Sequence, residues 1–292
     1  MDEFHGAEPT PEDLAYVAQS YAMRQLYWPS YTWKIQTEHL NKIDAKEQTL
    51  IDKGVDIDAF QRRKSDLFDK INASFYHLRK LKENEETIIA LGKKMAEQSR
   101  QHTPVGVLGI VGMPYEPINY EYEALLVSLK TGMDIISALL AEASGFGKSV
   151  DDLSKLLNAS THAIKPNQFL IQVNTLLEGE QHKRTIQEFR NKNGVKSKRN
   201  FAVHEGSLPT GTINIQFAAN NTEIGILKTR TADLGGIEET DFSKQQNLDG
   251  YADSLFYDVC DFIIGGLELL LDKKLPKGKK ASVYEARSKT SN

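Results

Sequence analysis

Cysteine is almost missing from this chain of 292 residues, where Cys260 is the only one. A lone thiol excludes an intramolecular disulfide and a zinc site built on several sulfurs. His-Glu-x-x-His is absent as well, and His39, His77, His102 and His162 stand isolated in polar helical or loop settings. A catalytic metal is therefore not expected, and nothing implies a cofactor. No Gly-x-Ser-x-Gly elbow is present to start Ser-His-Asp catalysis. Gly145-Phe146-Gly147-Lys148-Ser149 resembles the end of a phosphate-binding loop, but Glu142 stands where Walker A requires its first glycine. No charged n-region with an apolar h-region opens the chain, and no apolar run is expected to reach membrane-spanning length. These absences, with a thiol suited to a reducing compartment, predict a cytoplasmic protein with no membrane partner.

What is present is a globular composition, 40% hydrophobic and 26% charged, with a mildly acidic net charge of −4. The length allows one large or two ordinary domains. Helical periodicity dominates. From Tyr120 to Ala143 an apolar stripe runs through Leu125, Leu129, Met133, Ile136 and Leu140 at steps of three to four residues. Gly145 and Gly147 stop that helix, and Ser149-Val150-Asp151-Asp152 offers a serine cap for a short helix through Leu157. Asn167 to Lys192 reads as a second long helix with a break near Gly179, and Asn247 to Asp272 as a final one. Between them, Thr212–Phe217 and Glu223–Leu227 alternate as two strands turned at Asn220-Asn221.

The first third, residues 1–103, reads as an N-terminal helical hairpin arm. Thr10-Pro11-Glu12-Asp13 starts one helix, Thr32 to Asp52 reads as a second, and Asp58 to Gln101 as a long third whose seam weakens at Lys82. The aromatic group Tyr27 to Trp33 suits a core, or else an RNA-stacking surface. Residues 104–119 form a linker, apolar and glycine-rich, expected to pack on the core or pair as a strand. Residues 276–292 are a polar tail.

One segment carries candidate chemistry: Lys198-Arg199-Asn200-Phe201-Ala202-Val203-His204-Glu205-Gly206. An imidazole titrating near neutral pH serves as general acid or base, and a guanidinium holds a phosphate by two parallel hydrogen bonds. On a helix Asn200 and His204, four apart, share a face, whereas Arg199 and His204 lie about 140° apart. A helix start or a dimer edge suits that arrangement better than a helix interior. The alternative is structural, with His204 capping a helix end and Arg199 in a surface ion pair. Around the segment, Lys183, Arg184, Arg190, Lys192, Lys196 and Lys198 outnumber the acid Glu188. That field suits RNA or another polyanion, or is simply a solvated basic loop.

The pattern Arg-polar-x-x-x-His, in the order helix, short helix, helix, motif, final helix, resembles the HEPN family over residues 120–275. The resemblance implies a mainly α fold, a HEPN-like helical bundle in which the β-hairpin is an insertion. It implies a metal-independent ribonuclease whose cleft forms where two copies of the motif meet across a homodimer or higher oligomer. Arg199 would then be the phosphate ligand, Asn200 its polar neighbour and His204 the acid and base. Glu121 is the candidate for a supporting acid from the first long helix, with Ser128 also bordering the stripe and Asp134 expected on the solvent face. The family also implies partners in toxin–antitoxin or antiphage defence, such as an antitoxin. A non-catalytic HEPN module that binds RNA or protein remains the other reading.

Overall fold

A computed structural model describes residues 56–114, 116–146, 149–164, 166–189, 213–218, 225–227 and 248–271, with His39 and Lys42. The described chain is mainly helical with a small antiparallel sheet. The expected helix at Thr10, the aromatic group 27–33 and the tail 276–292 lie outside the described residues, as does the expected helix Thr32–Asp52 apart from His39 and Lys42.

Helix α1, Ile57–Arg100, starts because Asp56 caps it: the carboxylate accepts the Ala59 N–H at 3.1 Å, and Asp58 adds negative charge in the first turn. Its apolar seam buries Phe60, Leu67, Ile71, Leu78, Leu81 and Ile88. Where the seam was expected to weaken, Leu81 stays buried and Lys82 turns aside to pair with Asp253 at 2.7 Å. Helix α2, Glu116–Ala143, runs antiparallel along α1. Near one end of the pair Glu121 meets His77, and near the other the buried Glu142 accepts from Arg63 at 2.7 Å and from the Asp56 N–H at 3.0 Å. By length and composition α2 is apolar enough to cross a membrane, contrary to expectation, yet 72% of that stretch is buried in the bundle. A helix packed by neighbours around much of its girth needs an apolar surface to match.

Gly145 ends α2 at φ +89°, a left-handed value that a side chain resists. The Gly145 N–H bonds to the Glu142 carbonyl at 3.0 Å and the Phe146 N–H to the Ala141 carbonyl at 3.0 Å, closing the last turn. Helix α3, Leu153–Thr161, starts later than Ser149 and ends beyond Leu157. The reason is a choice of cap: Asp152 accepts the Lys155 N–H at 2.8 Å, and Asp134 on α2 accepts the Leu153 N–H at 3.0 Å. Asp134, expected on the solvent face, is thus a half-buried anchor that also holds Lys130. Helices α4, Gln168–Glu178, and α5, Glu180–Glu188, are the expected long helix broken at Gly179. Asn167 caps α4 at the Leu170 N–H, 2.8 Å, and donates to the Ser144 carbonyl at 3.1 Å, tying α4 to the end of α2.

Helix α6, Leu248–Leu270, threads between the others. It runs parallel to α2, with Tyr251 beside Tyr122 and Gly266 against Ile136, and antiparallel to α4 and α5, with Gly265 against Leu176 and Phe262 against His182. Its residues Leu255, Phe256, Val259, Phe262, Ile263, Leu267 and Leu270 are all buried.

Strands β1, Leu108–Met113, β2, Ile213–Ala218, and β3, Gly225–Leu227, form an antiparallel sheet in that order. The linker therefore pairs as a strand, as its apolar composition predicts, and extends the expected hairpin. Leu108 opposes Ala218 and Met113 opposes Ile213. The buried face, with Met113, Ile213, Ile215 and Phe217, packs on α1 at Gly92, where an added Cβ would lie 2.7 Å from Ile215.

Candidate functional site

Arg199, Asn200 and His204, with Arg190, Lys192, Lys196 and Lys198, lie outside the described residues, and so does the side chain of Arg184. Lys183 is described: it is exposed on α5 with Nζ 3.7 Å from Oε1 of Glu180, one turn back. Phe189, which is 1% exposed and closes α5, is the last described residue before the motif segment.

At that end of the bundle two helices share a hydrogen bond and a third packs beside it. The Tyr251 hydroxyl on α6 donates to Glu188 on α5 at 2.5 Å. Tyr122 on α2 stands edge-on to Tyr251, with centroids 6.4 Å apart. Burial, and then the Glu188 charge, push the Tyr122 hydroxyl far above its ordinary pKa, so it stays protonated.

Glu121, one residue before Tyr122, turns instead to α1. Its Oε2 lies 2.7 Å from Nδ1 of His77, both side chains about a quarter exposed. A carboxylate at Nδ1 orients the ring and leaves Nε2 for other partners, the geometry by which carboxylates position imidazoles. Tyr76 stands edge-on to this ring at 5.4 Å, and the Lys80 ammonium lies 6.0 Å from the Tyr76 centroid. His77 is therefore not isolated, a correction to the sequence expectation. Its partner is 44 positions away, beyond what local spacing can show. His39 is corrected likewise, since its Nε2 lies 3.5 Å from Glu268.

Two further reactive side chains are withdrawn from solvent. His182, which sequence reasoning did not single out, is buried edge-on to Phe262 at 5.6 Å, and burial pulls its pKa down to about 4. It is neutral at neutral pH. Cys260 is 1% exposed, and burial, followed by the Asp261 charge, raises its thiol pKa well above the usual value. Among the described residues no three His, Cys, Asp or Glu side chains gather as metal ligands.

Compared with protein-family models, with curated proteins and with solved structures, the chain matches none.

Proposed function

We propose that this protein is a metal-independent endoribonuclease of HEPN type, working as a homodimer. The observation that carries the reading is the helix order: long α2, short α3, broken α4 and α5, then the Arg199–His204 segment, then α6. In support, α5 is closed by Phe189, nine positions before Lys198, and its last residue Glu188 accepts from Tyr251, which stands edge-on to Tyr122.

In this reading His204 takes the proton of an RNA 2′-hydroxyl, or gives one to the departing 5′-oxygen. The 2′-oxygen bonds to phosphorus as the bond to the 5′-oxygen breaks. Arg199 neutralises charge building on the phosphate, with Asn200 as its polar neighbour. The products carry a 2′,3′-cyclic phosphate on one side and a free 5′-hydroxyl on the other. Lys183, Arg184, Arg190, Lys192, Lys196 and Lys198 supply the attraction for RNA. Glu121 is engaged by His77, so any support it gives passes through the α1–α2 contact. That engagement also favours the second reading, a HEPN module that binds RNA or a partner protein without cutting. Roles in toxin–antitoxin or antiphage defence belong to the same proposal.

The test is cleavage of total and transfer RNA in EDTA by wild type, Arg199→Ala and His204→Ala, with end-group analysis. Cleavage in wild type should fall by about 10²–10⁴ in His204→Ala, the usual worth of a general acid or base. No cleavage, or cleavage unchanged in both variants, favours the binding module.

A further inference from the structure

β1 is an edge strand: among the described residues it pairs with β2 alone. A strand bonded on one side presents its remaining N–H and C=O groups outward, and such an edge templates another strand unless charge, proline or a bulge guards it. Here the guard is missing. From Pro104 to Pro114 there is no charged residue, in a chain of which 26% is charged. The two prolines flank β1 rather than interrupt it. Its outer face carries Leu108 at 61% exposure and Ile110 at 59%, and Val105 and Val107 lie exposed just before it.

The strand is also complementary to itself. In an antiparallel pair, directly opposed residues point to the same face. With a two-fold axis at Ile110, Ile110 meets its own copy on the outer face, and Leu108 meets the partner's Gly112. On the inner face Val111 meets the partner's Gly109, beside the Phe217 ring that already leans over that glycine. Branched side chains thus face glycines on both sides of the sheet. Moving the axis to Gly109 sets glycine against glycine. Moving it to Val111 sets Leu108 against Pro114, which has no N–H to give.

We propose that the protein forms a two-fold dimer in which β1 pairs antiparallel with β1 of a second copy, centred on Ile110, making one continuous six-stranded sheet from two three-stranded ones. An uncharged edge meets its own copy without repulsion, which a charged partner surface would not match. The inference rests on the sheet and is independent of the ribonuclease reading.

Sedimentation of the full chain over a concentration series should give wild type an assembly twice the size of that formed by Ile110→Lys, which sets two ammonium groups opposite each other. Ile110 is exposed, so the lysine is tolerated in the monomer, and circular dichroism checks that it folds. Leu108→Lys provides a second charged variant. Oxidation of Ile110→Cys should give a covalent dimer, because opposed Cβ atoms lie about 4.5–5.5 Å apart. Gln216→Cys, opposite Ile110 on β2, should not cross-link. Strands about 4.8 Å apart put its two copies roughly 14 Å from each other, beyond disulfide reach. The buried Cys260 does not compete. A wild type monomeric throughout, an assembly of unchanged size in both lysine variants, or equal cross-linking of the two cysteine variants would overturn the proposal.

Discussion

Shut away from water, a histidine gives up its proton, and His182 is so placed against Phe262 with a pKa near 4. In the unfolded chain the same ring titrates at about 6.5. Below that pH the unfolded state binds the extra proton, so stability falls as pH drops from about 6.5 towards 4. At pH 5 the loss from this residue is about 2 kcal/mol relative to pH 7.5. Urea midpoints at the two pH values, for wild type and His182→Leu, should show a drop in the first that is largely missing from the second. Parallel drops would refute the assignment. None of this was legible locally, because burial comes from Phe262, some eighty positions later. The Glu121–His77 contact was hidden for the same reason. Sequence reading reached Glu121 as an acid bordering an apolar stripe, but a stripe reports which face is buried and not what stands beside its border.

Helix contacts in this bundle turn on small residues. Gly265 and Gly266 sit side by side on α6 and face different neighbours. A Cβ on Gly266 would fall 2.6 Å from Cγ1 of Ile136, an inner atom of a branched side chain that cannot easily move. At Gly265 the atom met at 2.6 Å is Cδ1 of Leu176, the free end of a flexible one. Alanine gains about 1 kcal/mol of helix propensity at either site, and overpacking costs about 1–3 kcal/mol where the neighbour is fixed. Gly266→Ala should therefore lower thermal stability while Gly265→Ala leaves it nearly unchanged, as calorimetry of both would reveal. Equal effects would mean that the Ile136 contact is looser than described. Element positions themselves were largely legible. The stripes of α2 and α6 and the stop at Gly179 follow from 3.6-residue periodicity and the poor helix propensity of glycine. The start of α3 was not, because Asp134 on another helix takes the Leu153 N–H and favours Asp152 over Ser149 as cap.

Across the whole molecule, α1 and α2 form an antiparallel pair from neighbouring sequence, and α6 arrives from far down the chain to lie between α2 and the α4–α5 arm. Seven of its buried side chains, at about 1.5–3 kcal/mol each, contribute as much as the 5–15 kcal/mol that holds a typical domain together. A chain ending at residue 247 should thus be digested rapidly by protease under conditions where the full chain resists; equal resistance would show that α6 is dispensable. The order of helices was legible from periodicity, whereas the Arg199–His204 segment is read from residue types alone and lies outside the described residues. The late position of α6 sets a schedule on the ribosome. At about 5–20 residues per second, synthesis from the end of α2 to the end of α6 occupies on the order of ten seconds. Throughout that interval Tyr122, Ile136 and Leu140 wait for their cover from Tyr251 and Gly266, so the nascent chain is a client for chaperones until α6 emerges.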